Sequence, residues 1–185
     1  MAMKGDMYYA PLSRSPETMP YTGTVMAIDP SGRGKDESAY AVVKCLNGYQ
    51  FLMDVGGYEE GYSDLTLTKM AQTAKFWEVN EVIVEANFGD GMFTKVMTPI
   101  FNKIHPCVIT EVKNTKQKEQ RIIDVLEPVL MRHKLIVNKS VIENDYRRYE
   151  TNQAYSLIYQ MTRICRDKNA IAHDDRLDAV TMAVS

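Results

Sequence analysis

The chain has 185 residues, 45% hydrophobic and 25% charged, with a formal net charge of −2. That is enough for one domain with a substantial core, and it lacks the global basicity of a dedicated nucleic-acid binder. A local basic surface would still serve such a partner, and bound divalent metal would offset acids in a site. Cys45, Cys107 and Cys165 are odd in number, widely spaced and without a C-x-x-C pair. They argue against a disulfide framework or a zinc site and for a reducing, cytosolic compartment, with Cys107 and Cys165 read as core. No apolar run approaches ~18 residues, so no membrane span is expected, and no secretory signal opens the chain.

Met1 to Thr22 holds Pro11, Pro16 and Pro20 among polar residues and reads as a leader or interdomain linker, with the domain proper from residue 23 to residue 185. TVMAID is an apolar strand ending on Asp29, followed by the turn residues Pro30 to Gly34. SAYAVVKCL and YQFLMDV are two more strands joined by Asn47-Gly48, the strongest short hairpin signal, so the chain opens as a three-stranded meander. Leu67, Met70, Ala71 and Ala74 mark a helix capped by Ser63 or Asp64. EVIVEAN is a short buried strand containing Glu85, and Gly89-Asp90-Gly91 leads into a helix with Phe93, Met97, Ile100 and Ile104 on one face. Pro99 bends that helix or displaces its start. PCVITEV is a fifth strand. Gln117 to His133 is a long helix with Ile122, Ile123, Leu126, Val129 and Leu130 facing inward, and Leu135 to Val137 is a sixth strand. Helical stretches at about Val141 to Tyr149 and Ala154 to Ile164 precede a polar turn and the closing segment HDDRLDAVTMAVS. A meander followed by alternating strands and helices describes an α/β domain, a mixed sheet with helices on both faces.

In the closing segment Leu177, Val180 and Val184 form an apolar stripe, and at ~100° per residue Asp178 lies on its shoulder near Asp174 and Asp175. Capping and the helix dipole explain Asp174 and Asp175 well and Asp178 poorly. Asp29 and Glu85 stand at strand ends, where sites form in such sheets. Burying these three acids together would raise their pKa values unless something positive joined them. Mg²⁺ or Mn²⁺ suits carboxylate oxygens, and three or four carboxylates suit a pair of ions for in-line phosphodiester displacement.

The ordered motifs MAIDPSGRGKDESAYAVV, VIVEANFGDGMF and HDDRLDAVTMAV resemble the nuclease domain of tailed-bacteriophage large terminases, particularly the podovirus type. The resemblance implies an RNase H-like (RuvC- and integrase-like) fold and a metal-dependent endonuclease that cuts concatemeric double-stranded viral DNA with little sequence preference. It implies catalytic roles for Asp29, Glu85 and Asp178, with Asp29 bridging two metals. Because the last acid of this family is placed variously along D-D-x-x-D, Asp174 and Asp175 are also candidate metal ligands, Asp175 being the second choice in that motif. An ATPase motor domain, a portal and a small terminase subunit are the implied partners, and the host cytoplasm the implied location. The short Gly32-Arg33-Gly34-Lys35 run, followed by Asp36, does not make a phosphate loop, so no ATP hydrolysis is expected.

Arg33 and Lys35 follow Asp29 on a glycine-rich turn and are candidate phosphate contacts or a solvated turn. Lys113, Lys116, Lys118 and Arg121 concentrate positive charge after the fifth strand, either as a DNA contact or as a solvated face. Asp36 reads as a turn cap, and Asn87 and Asp90 as groove lining or plain turn chemistry. Arg147 and Arg148 with Tyr146 and Tyr149 read as a helix with an aromatic inner face rather than a DNA contact or docking surface, and His173 as a neighbour of the cap rather than a group that orients a ligand or water. The other readings are a structure-selective junction resolvase, a phosphate-binding ATPase of the actin or sugar-kinase type, for which a second phosphate loop and sufficient length are missing, and a non-catalytic module gripping DNA or a portal ring.

Overall fold

Asn47 and Gly48 both take positive φ, 51° and 73°, the conformation that a two-residue hairpin turn requires. On either side of them β2 (Ser38–Leu46) and β3 (Tyr49–Tyr58) pair antiparallel, and β1 (Gly23–Asp29) joins β2 antiparallel, giving the expected meander. The computed structural model describes residues 13, 15–31, 37–86 and 91–185; the expectations for Arg33, Lys35, Asp36, Asn87 and Asp90 fall outside them.

Ser63 caps α1 (Asp64–Trp77), accepting from the Thr66 amide. The chain continues as β4 (Glu81–Glu85), α2 (Met92–Ile104), β5 (Val108–Val112), α3 (Lys118–Met131), β6 (Leu135–Val137) and α4 (Lys139–Thr151). A 3₁₀ turn (Gln153–Tyr155), α5 (Leu157–Arg163) and α6 (Asp175–Val184) complete it. The strands form one sheet in the order β5-β4-β1-β2-β3-β6, with β4 parallel to β1, β5 parallel to β4 and β6 parallel to β3. This is the mixed α/β sheet that the alternating pattern predicts.

Alternation along each strand sends side chains to two cores. Met26, Ile28, Val42, Val82 and Val84 pack against α1 and α2, whereas Ala27, Ala39, Ala41, Val43 and Leu52 meet α3, α4, α5 and α6. The second face is lined by small residues where α6 lies across β1 and β2. Several sequence expectations are corrected. The stripe on α6 is not one-sided: every residue from Arg176 to Val184 is buried, because α6 is enclosed by the sheet, α3 and α5. On α2 the expected face is kept, Phe93 and Met97 buried with Ile100 and Ile104 packed beside them, but Phe101 joins it at full burial, and the helix continues through Pro99. Leu130 is exposed near the end of α3, and Cys165 is exposed rather than in the core. The inner face of α4 carries Val141 and Asp145, with Tyr149 half-buried beside Tyr159, whereas Tyr146 is exposed.

Gly56 and Gly57 in β3 make room for two large groups. A methyl at Gly56 would press into the Tyr40 ring, and one at Gly57 would overlap the Glu37 carboxylate. Glu37 cannot swing away, since it is 1% exposed and held by Arg176 through Nε at 2.5 Å and Nη2 at 3.1 Å. Gly57→Ala is therefore expected to destabilise the fold by about 1–3 kcal/mol, the usual cost of overpacking, as read from urea unfolding. A neutral result would show that the Glu37 carboxylate moves freely.

Candidate metal centre

Parallel strands in register place equivalent positions side by side. The β1–β4 ladder pairs Ile28 with Val84, so Asp29 and Glu85, one residue further on, finish at the same end of the sheet. Both follow apolar runs and both point to the face occupied by α6, two residues beyond Ala27 and Ile83 on that core. From α6 the wholly buried Asp178 reaches the same point. One carboxylate oxygen from each of Asp29, Glu85 and Asp178 lies within 4.8 Å of the others, so the three acids singled out in the sequence are brought together.

Two cations from α3 enter this cluster. Lys118 Nζ lies 3.0 Å from Asp29, 2.8 Å from Asp174, 3.3 Å from Asp178 and 3.9 Å from Asp175. Arg121 donates through Nη1 to Glu85 at 3.0 Å and through Nη2 to both Asp178 oxygens at 2.6 and 2.7 Å. The basic stretch after β5 thus divides. Lys113 and Lys116 stay exposed, whereas the spacing of three in α3 turns Lys118 and Arg121 inward among the acids. Asn114, which the sequence did not single out, donates to Glu85 at 2.8 Å. Lys113, Asn114, Lys116 and Arg121 also line a groove of about 380 Å³ between α3, β5 and α6.

Of the acids at the start of α6, Asp174 makes the shorter contact to Lys118 and Asp175 the longer one, and Asp175 Oδ2 also lies 3.9 Å from His173 Nδ1. His173 stacks on Tyr155 with ring centroids 4.3 Å apart. Arg148 is tied to Glu59 at 2.7 Å and approaches Glu37 at 3.8 Å, so it belongs to an internal ion network; Arg147 is exposed.

Five carboxylates therefore face two cations, an excess of three negative charges when all are ionised. Burial first and this imbalance second show in the pKa values. Burial, reinforced by Glu85 and Asp174 against the pull of Lys118, raises Asp29 to about 6. Burial, opposed by Lys118 and Arg121 and aided by Asp29, raises Asp178 to about 6 as well. Glu85 is raised by burial and by Asp178. Burial works against the charge of Lys118, but Asp29, Asp178 and Asp174 outweigh it and hold the ammonium above the usual lysine range. Hard oxygen donors in this number, with uncompensated negative charge, fit a divalent cation such as Mg²⁺ or Mn²⁺.

Residues 28–135 match the family model described as Terminase Bacteriophage T7, Ribonuclease H-like domain. The chain is 47% identical over 189 residues to the large terminase subunit of Enterobacteria phage T3, a match that takes in 100% of this chain and 32% of that relative. Its fold is similar to the nuclease domain of the large terminase subunit of bacterial virus Sf6 (TM-score 0.62, 13% identity, 90% of each chain). It is also similar to the human cytomegalovirus terminase nuclease domain, Mn soaked and inhibitor bound (TM-score 0.62, 12% identity, 88% of this chain and 82% of that one).

An acid whose pKa is raised by folding binds protons more tightly in the folded state, so its stabilising contribution is complete below the unfolded value near 3.8 and is lost as pH rises through about 6. Asp29→Asn removes one such group. The melting temperature of the metal-free variant is expected to exceed that of the wild type by a few degrees at pH 7.5 and to converge on it towards pH 4. A difference that stays constant across that range would contradict the raised pKa of Asp29.

Proposed function

Since this chain belongs to the phage T7 type of terminase, within its ribonuclease H-like domain, we propose that it is the nuclease part of a large terminase subunit, an endonuclease that cuts concatemeric double-stranded DNA during genome packaging. The observation that carries the reading is the convergence of Asp29, Glu85 and Asp178 at one end of the β1–β4 ladder. These three, with Asp174 and Asp175 beside them, would hold two Mg²⁺ or Mn²⁺ ions. When bound, such ions supply an activated water and stabilise the leaving oxygen of an in-line phosphodiester hydrolysis. The manganese named for the cytomegalovirus nuclease domain supports a divalent requirement here.

The chain's own residues divide the remaining work. Asp29 and Glu85 are fixed by strand register, and Asp178 by a helix without a solvent face. Arg121 and Asn114 hold the Glu85 carboxylate in the metal-free state. Lys113 and Lys116 stand exposed along the groove, placed to meet phosphates without reading bases. The chain spans about a third of the phage T3 relative. The rest of such a subunit would supply the ATPase motor, and a portal and small subunit would bring the whole to the DNA in the host cytoplasm. Residues 1–22 read as the linker to that motor and residues 23–185 as the nuclease domain, which would itself hydrolyse no ATP.

Incubating the domain with supercoiled plasmid and Mn²⁺ or Mg²⁺ tests the reading. Nicking and linearisation are expected, with at least a hundredfold loss for Asp29→Asn and for Glu85→Gln. Wild-type cutting by either variant, or preference for four-way junctions over linear duplex, would overturn it. Replacing both Lys113 and Lys116 by Ala should weaken duplex binding at all sequences and flatten its dependence on salt by about one to two units of slope. Lys118→Ala removes a cation that competes with the metal. Calorimetry should show Mn²⁺ bound about tenfold more tightly, about 1.4 kcal/mol, while the metal-free protein melts earlier.

A further inference from the structure

The first N–H groups of a helix lack partners within it, and the side chain at the N-cap position ordinarily accepts from the second or third of them. Three helices here follow that rule. Ser63, Asn138 and Ser156 cap α1, α4 and α5 from an extended backbone and accept from the first turn. Asp174 occupies the same position at α6, yet its backbone sits at φ −132°, ψ 7°, and its side chain makes no capping bond. The acceptor comes from elsewhere. Gln160 Oε1 takes the Leu177 amide, the third N–H of α6, at 3.0 Å.

Gln160 is wholly buried on α5, and its amide nitrogen donates to the Ala154 carbonyl at 3.0 Å. Only this orientation of the amide pairs both of its ends, since reversing it would set donor against donor and carbonyl against carbonyl. The start of α5 is anchored in turn by Asp145, which accepts from Ser156 Oγ and from the amides of Leu157 and Ile158 at 2.6–3.0 Å. An Asp at the N-cap is among the best acceptors available. A second, buried acceptor for the same N–H is redundant unless the Asp is wanted for something else. Relieved of capping, the Asp174 carboxylate turns to the acidic cluster and lies 2.8 Å from Lys118.

We propose that Gln160 is a positioning residue of the metal centre: it caps α6 in place of Asp174 and so leaves that carboxylate to serve as the fourth acidic ligand with Asp29, Glu85 and Asp178. The proposal rests on the divalent-metal reading of this site and adds to it a preference for Asp174 over Asp175, together with a reason.

Mn²⁺ titration calorimetry on the 185-residue chain and on Gln160→Met, Asp174→Ala and the double variant tests it. Gln160→Met is near-isosteric but lacks the amide acceptor, so the Leu177 amide recaptures Asp174. It should weaken Mn²⁺ binding by about the same factor as Asp174→Ala, roughly tenfold, and the double variant should bind no more weakly than Asp174→Ala alone. On the Lys118→Ala background, where the Asp174–Lys118 ion pair is already gone, adding Asp174→Ala without metal should leave the melting temperature unchanged or raise it, because no capping bond is lost. Effects that multiply in the double variant, wild-type affinity in Gln160→Met, or a drop of several degrees on adding Asp174→Ala to the metal-free Lys118→Ala chain would each overturn the assignment. Should the wild-type chain bind no Mn²⁺, the metal centre itself falls and the role of Gln160 with it, an outcome distinct from wild-type binding with independent effects.

Discussion

Carboxylates shut away from water at the end of two neighbouring strands are the constraint around which this fold is arranged. Asp29 and Glu85 are held side by side by the parallel β1–β4 register, and Asp178 is added by a helix that has no solvent face. Left alone, such a group of charges would be intolerable. Lys118 and Arg121 make it tolerable in the absence of metal, and for that α3 must run alongside α6 with two positions three apart facing the acids. Their compensation is incomplete, and Asp29 and Asp178, with pKa values raised first by burial and further by the neighbouring acids, are weaker acids than usual.

The same demand explains details that otherwise look unrelated. Alanines at 27, 39 and 41 let α6 lie close to β1 and β2. Arg176, one residue from Asp175 and two from Asp178, is clamped by Glu37, the residue directly before β2, which fixes the rotation of α6 about its axis. Gly57 leaves the space in which that clamp sits. The buried amide of Gln160 completes the hold from the other side.

Much of this was legible in the residues. An apolar run ending on an acid announces a strand whose end matters, which gave Asp29 and Glu85; an acid on the shoulder of an apolar stripe gave Asp178. The hairpin at Asn47-Gly48 and the cap at Ser63 follow from local turn and capping chemistry and were equally plain. What the sequence did not disclose depends on distant neighbours. A lysine and an arginine in a charge run carry no sign of facing inward, so Lys118 and Arg121 read as surface. The full burial of α6 was hidden by its polar first turn, and Leu130 and Cys165 fit an apolar pattern that the ends of α3 and α5 do not keep. Gln160 and Glu37 are single polar residues with no periodic signal. A sign of Glu37 was present all the same: two adjacent glycines inside a strand mark the close approach of something large.

The small residues beneath α6 carry a consequence for how this protein can change over generations. Because the helix rests on the methyl groups of residues 27, 39 and 41, one extra carbon there would lift it like a shim under a beam, and Asp178 would part from Asp29 without any polar residue being altered. The spacing of the three acids is thereby open to adjustment from inside the apolar interior, by drift at positions that a survey of charged groups would pass over.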